Sequence, residues 1–187
     1  MDTIDCAASN LRRCLGILMC ASLSACAGAP IFAPANSLSS DAHFRLGAAY
    51  EAAGRRDDAA KQYQRVVKLA PENTEAWVAL GNVDFKLGNF SLAESAYRRA
   101  LHISPDHVGA LNNLALTYLT EKTRLKEAET LAKSALRQGG PLVPSVLDTL
   151  AEIYEAEGRR PEARAAAAQA AGATMSAEIA LAPPGRL

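Results

Sequence analysis

The chain has 187 residues, and its 20 basic and 20 acidic side chains give a formal net charge of zero at pH 7. That balance excludes the basic stripe of a nucleic-acid binder. All four cysteines (Cys6, Cys14, Cys20 and Cys26) lie near the N-terminus, so the body carries neither a disulfide framework nor a cysteine zinc site.

Arg12 and Arg13 precede an apolar core from about Leu15 to Leu23, and small residues follow. This is the layout of a secretory signal, expected over residues 1–25. The core is far short of the ~20 apolar residues that a spanning helix needs. Leu23-Ser24-Ala25-Cys26 resembles the bacterial lipobox. The resemblance implies a diacylglyceryl group on Cys26 and cleavage just before it; an ordinary secretory cut near Ala25-x-Ala27 is the alternative. Ala27 is not the aspartate that favours inner-membrane retention, so the implied location is the bacterial cell envelope, lipid-anchored in the outer membrane and facing the periplasm. Lipidated Cys26 and residues up to 39 read as a tether rich in Ala, Pro and Ser. Its 13 residues from Ala27 to Ser39 could span ~40–47 Å when extended.

Beyond the tether one phrase recurs. Leu46-Gly47 returns as Leu80-Gly81, Gly54 as Gly88, Ala59 as Ala93, Tyr63 as Tyr97 and Pro71 as Pro105, each 34 residues later. A constant interval of this size marks an array of one supersecondary unit. Two further copies carry Leu114-Ala115, Tyr118, Ala128 and Ala135, then Leu150-Ala151, Tyr154, Gly158, Ala163 and Ala170, with one extra residue near Thr123. The predicted units are 40–73, 74–107, 108–143 and 144–171. Within each, apolar residues fall at helical spacing (Trp77, Leu80 and Leu87; Leu92, Ala96 and Ile103). Glycines at 54, 88 and 158 mark the turns between paired helices, and Pro71 and Pro105 follow the second helices.

The pattern Trp77-x2-Leu80-Gly81, Ala93-x3-Tyr97, Pro105 resembles the tetratricopeptide repeat. The resemblance covers about three quarters of the chain and implies an all-α fold, a right-handed α-solenoid of stacked antiparallel helix pairs. Asp84 departs from it where a tyrosine is usual, as do His43 and Leu111 where Trp77 stands and Ala167 in place of the Tyr63 and Tyr97 rings. Residues 172–187 are expected as a partly disordered tail with at best one short helical turn.

No catalytic constellation is visible. His102 and His107 straddle Pro105, His43 occupies a packing position, and no serine sits in a Gly-x-Ser-x-Gly setting. The expectation is a protein that is not an enzyme, with no metal, no cofactor and no small-molecule substrate. Arg98-Arg99 and Arg159-Arg160 read as solvated helix faces.

The family resemblance implies instead a concave groove, lined by the first helix of each unit, that holds a segment of a protein partner. Carried over position by position, the groove falls on Asp41, Phe44, Ala48 and Glu51; Glu75, Val78, Asn82 and Phe85; Gly109, Asn112, Leu116 and Leu119; Ser145, Asp148, Glu152 and Glu155. Phe44, Asn82, Phe85, Asn112, Leu116, Leu119, Asp148 and Glu152 are its expected contacts. The chaperone-type clamp for terminal carboxylates is set aside, because Phe44 and Ala48 stand where its basic residues would. The partner is expected to be a protein or peptide segment of an envelope complex, with the membrane reached through the lipid anchor. Three roles stay open: assembly of a pilus or secretion apparatus, an adaptor for envelope proteases or cell-wall enzymes, and self-association.

Overall fold

The computed structural model describes residues 38–181. The predicted signal 1–25, Cys26, the tether up to residue 37 and residues 182–187 lie outside the described residues. Among the described residues the chain forms eight helices and no strand: α1 Ser40–Ala52, α2 Arg56–Leu69, α3 Thr74–Lys86, α4 Phe90–Ile103, α5 Val108–Thr120, α6 Leu125–Gln138, α7 Val143–Ala156 and α8 Arg160–Leu181. Consecutive helices pair as the repeat phrase predicts, and each pair packs on the next, an all-α solenoid.

Local chemistry sets the helix ends. Ser39, Asn73 and His107 stand at the same repeat position, and each side chain accepts from the backbone N–H three residues on, at 3.2, 3.0 and 3.0 Å. These bonds satisfy donors that a helix start leaves unpaired. The turns within pairs need a left-handed residue, which glycine adopts without a Cβ clash. Gly54, Gly88 and Gly158 supply it with φ of 73°, 78° and 76°. The third turn departs: Lys122 takes the glycine position at φ 53°, the extra residue is Thr123, and Arg124 after it is also left-handed, at φ 46°.

Small and large residues are exchanged in pairs through the core. A Cβ on Gly47 would lie 2.7 Å from the Tyr63 ring, and one on Gly81 2.5 Å from the Tyr97 ring. In the third repeat Ala115 and Ala132 fill the corresponding places, and both are fully buried. A ring is lost from one helix and a methyl gained on the other, and both positions stay buried while the sequence drifts. The buried stripe of α4 is Ala93, Ala96, Tyr97 and Ala100. Leu92, expected on that stripe, is 55% exposed, because it stands one residue off the alanine row.

The C-terminal helix corrects the sequence reading. α8 continues through Gly172 to Leu181, well past the expected end at 171. Its alanines favour helix at little entropic cost, and a lone helical glycine costs only ~1 kcal/mol, too little to stop it.

The first helices of successive pairs touch one another directly, α3 with α5 and α5 with α7, besides packing on their own partners. The second helices make no such mutual contacts of comparable extent. The array therefore closes on the side of α1, α3, α5 and α7, which is the side that a curved solenoid presents as its inner surface.

Candidate partner-binding groove

Two recesses open along that inner surface. One, of about 590 Å³, is lined by Asp41, Phe44, Arg45, Asn73 and Glu75. Phe44 leans on Tyr63 with ring centroids 5.4 Å apart. The second, of about 310 Å³, is lined by Asn82, Phe85, Lys86, Tyr97, Asn113 and Leu116. Four expected groove residues, Phe44, Asn82, Phe85 and Leu116, thus line recesses on the inner helices. Leu119 is half-buried, packed against the core, and Asp148 and Glu152 are exposed on α7.

Asn112 does not take its expected place. It is 7% exposed, and its Oδ1 has no hydrogen-bond partner. Asn113 faces the recess instead, its Nδ2 donating to Asn82 Oδ1 at 2.8 Å. The Tyr97 hydroxyl donates to the same oxygen at 2.9 Å. One residue along a helix is a turn of about 100°, enough to move an amide from the groove into the repeat junction. The corresponding Val78 is buried likewise, whereas Asp148, in the last repeat among the described residues, is exposed.

Charges at the rim are engaged. Lys86 Nζ donates to Glu51 Oε1 at 2.6 Å, joining the first two repeats across the groove. Burial, aided by Glu51, pushes the Tyr63 hydroxyl up to about 12. Glu75 meets His107 Nε2 at 3.1 Å. His43 is buried and bonded through Nδ1 to Gln62 Oε1 at 2.8 Å, the packing role expected of it.

Behind the groove, the repeat junctions carry an arrangement that residue-type reading missed. Arg124 lies 3.8 Å over the Tyr118 ring and donates to Glu94 Oε1 at 2.7 Å, on the preceding repeat. The Tyr118 hydroxyl and Arg98 Nε donate to the same oxygen at 3.0 and 2.9 Å. One repeat later, Arg159 lies 4.3 Å over the Tyr154 ring and donates to Glu129 Oε2 at 3.0 Å. Hydrogen bonds from Arg124 hold the Glu94 carboxyl at about 2, against the opposing effect of burial. Burial pushes the Glu129 carboxyl up, but Lys133 and Arg159 together outweigh it and hold it at about 2. Arg98 and Arg159 are thus parts of these clamps, not merely solvated. The periodic signal was available: Glu94 to Arg124 and Glu129 to Arg159 span the same 30 residues.

The junction of repeats 1 and 2 lacks the clamp. Ala60 stands where Glu94 and Glu129 do, Asn89 where arginine does, and Asp84 where tyrosine does. Asp84 is 5% exposed, and burial raises its carboxyl above the usual range. The three substitutions occur together, so Asp84 stands at the junction that has no clamp for a tyrosine to join.

Among the described residues no group of three or more His, Cys, Asp or Glu could hold a metal ion, and no helix is long and apolar enough to cross a membrane.

The family described as the Cilia and flagella-associated protein 70 middle TPR-like domain matches residues 44–174. Among curated proteins, the chain is 32% identical over 110 residues to the tetratricopeptide repeat-containing protein trd-1 of Caenorhabditis elegans, covering 57% of this chain and 14% of that one. It is 31% identical over 87 residues to the BBSome complex member BBS4 homolog of Drosophila melanogaster, covering 46% and 18%. The chain therefore spans less than a fifth of the length of these relatives. Among solved structures, a crystal structure of MamA superposes with a TM-score of 0.67 over 74% of this chain and 80% of that chain, at 22% identity. A second MamA crystal structure gives 0.66 over 79% of both chains, at 20% identity. At such identities the likeness is one of fold.

Proposed function

Because the chain belongs to the tetratricopeptide-repeat-like family of the Cilia and flagella-associated protein 70 middle domain, we propose that it is a protein–protein interaction adaptor that holds a partner segment against α3 and α5. The observation that carries this reading is the second recess. It sets two side-chain amides, Asn82 and Asn113, beside the apolar Phe85 and Leu116. Amides have more donor and acceptor sites than their mutual contact uses, which suits an extended backbone, and the ring and leucine supply apolar area. Exposed Asp148, Glu152 and Glu155 at the far end disfavour an acidic segment.

The envelope setting is a proposal from the N-terminal text. Acylated Cys26 anchors the chain in the outer membrane, and the partner belongs to a pilus or secretion apparatus under assembly. Metabolic labelling with a fatty-acid probe tests the anchor: the wild-type chain is expected to label, and Cys26→Ser to yield unlabelled precursor. Labelling that survived Cys26→Ser would refute the anchor.

A photo-reactive side chain in place of Leu116 tests the groove in intact envelopes, with one in place of the exposed Lys68 as control. Crosslinks from position 116 to pilus or secretion components support the reading. Crosslinks to proteases, cell-wall enzymes or another copy of the chain replace the pathway. With the crosslinked partner in hand, Phe85→Ala with Asn113→Ala is expected to weaken binding by about tenfold or more in the folded chain, which melts lower because Phe85 also packs on the core and on Phe90. Equal crosslinking from position 68 would remove the groove from consideration.

A further inference from the structure

We infer that the outer edge of α1 is a docking surface for a glutamate-bearing helix of another protein, seated there as α4 and α6 are seated on α5 and α7.

In the array, α3, α5 and α7 each have the second helix of the preceding pair packed against them: α2, α4 and α6. Three residues of each first helix are buried by that packing. They are Ala76, Leu80 and Val83; Ala110, Leu114 and Thr117; and Val146, Leu150 and Ile153, none more than 7% exposed. The matching residues of α1 are Ala42 and Leu46, both half-exposed, and Ala49, exposed. An array end ordinarily carries a polar cap; this end shows the residue types of an interior junction.

The edge also carries half of the charged clamp. Arg55 lies 4.5 Å over the Tyr50 ring, the geometry of Arg124 over Tyr118 and Arg159 over Tyr154. Within its own repeat Arg55 donates through Nε to Asp58 at 2.9 Å, as Arg159 donates through Nε to Glu162 at 3.0 Å. Arg159 gains a further carboxylate, Glu129, from the preceding repeat, and Arg124 takes Glu94 there. Among the described residues Arg55 has no such partner. The occupant's chemistry follows from the two filled sites: a helix with a glutamate preceded by a small residue, as in Ala93-Glu94 and Ala128-Glu129, whose alanines are fully buried.

A second copy stacked in register does not supply it. The corresponding residue of the last repeat is Arg164, which would oppose Arg55 with like charge. The complementary chemistry points to a different chain.

The probe is a helix-stapled peptide of residues 125–138, the occupant of the last junction, titrated onto the full chain. Saturable binding is expected. Glu129→Gln in the peptide or Arg55→Ala in the protein should each weaken it by about tenfold. Arg55→Glu should restore affinity for the peptide carrying Glu129→Arg. Ala49→Glu should abolish binding with an unchanged melt, and Phe85→Ala with Asn113→Ala should leave binding intact. Absence of binding up to ~1 mM, a level at which even ~4 kcal/mol of attraction shows, would overturn the inference. So would binding indifferent to Arg55, a failed charge swap, or loss on changing the groove pair. Concentration-dependent growth of the wild-type chain that Arg55→Ala abolishes would assign the edge to a second copy and overturn the choice of partner.

Discussion

Gly81→Leu is expected to lower stability by about 3 kcal/mol, at the top of the usual overpacking range or above it. The Cβ alone would sit 2.5 Å from a carbon of the Tyr97 ring. That ring is 1% exposed, and its hydroxyl is tied to Asn82, so it cannot swing away cheaply. The sign is diagnostic, because replacing a helical glycine that meets open space normally gains up to ~1 kcal/mol. Urea melts of the purified chain measure the difference. The third repeat suggests the repair: with Tyr97→Ala in place, Gly81→Ala should be tolerated, as Ala115 is beside Ala132. A Gly81→Leu variant more stable than wild type would mean that the two helices do not meet there.

Glu94→Gln is expected to cost about 2 kcal/mol at pH 7, since three donors lose their anionic acceptor. Those donors are Arg124, Arg98 and the Tyr118 hydroxyl. The pH dependence follows from the carboxyl's titration. Its pKa falls from the ordinary 4.5 to about 2 on folding, so its contribution is complete above about 4.5 and is lost as pH falls towards 2. Melts of wild type and Glu94→Gln should therefore differ most at neutral pH and converge in acid. Glu129, also held at about 2, adds to the same acid loss in both proteins. A gap that stayed constant from pH 7 to pH 2 would show that the charge of Glu94 is not what the junction uses.

The repeat frame was legible because its markers are residues with one job each. Glycine at a left-handed turn and small residues opposite a ring leave a fixed imprint every 34 residues. Even the inserted residue was readable as a break in that interval. The amide of the groove was not, because the choice between Asn112 and Asn113 depends on helix rotation at a junction, and both are asparagine. The clamps were half legible: the 30-residue spacing of Glu94–Arg124 and Glu129–Arg159 repeats, but Arg98, Arg124 and Arg159 look like surface charges until the Tyr118 and Tyr154 rings beneath them are placed. The length of α8 was misjudged for a simpler reason. Alanine at the end of an array gives no stop signal, and the prolines at 183 and 184 come later than the repeat's own end.

The missing clamp between repeats 1 and 2 makes the solenoid chemically uneven along its length. Its first junction is held by apolar contacts, Val66 and Val67 with Leu80 and Val83, beside the Lys86–Glu51 and Arg99–Glu72 bridges. The next two add a fixed anion between cations. Cold weakens apolar burial, whereas acid neutralises the anions. Chilling thus loosens all three joints through their apolar contacts, whereas acid falls hardest on the second and third, so the solvent decides which joint of the array gives way first.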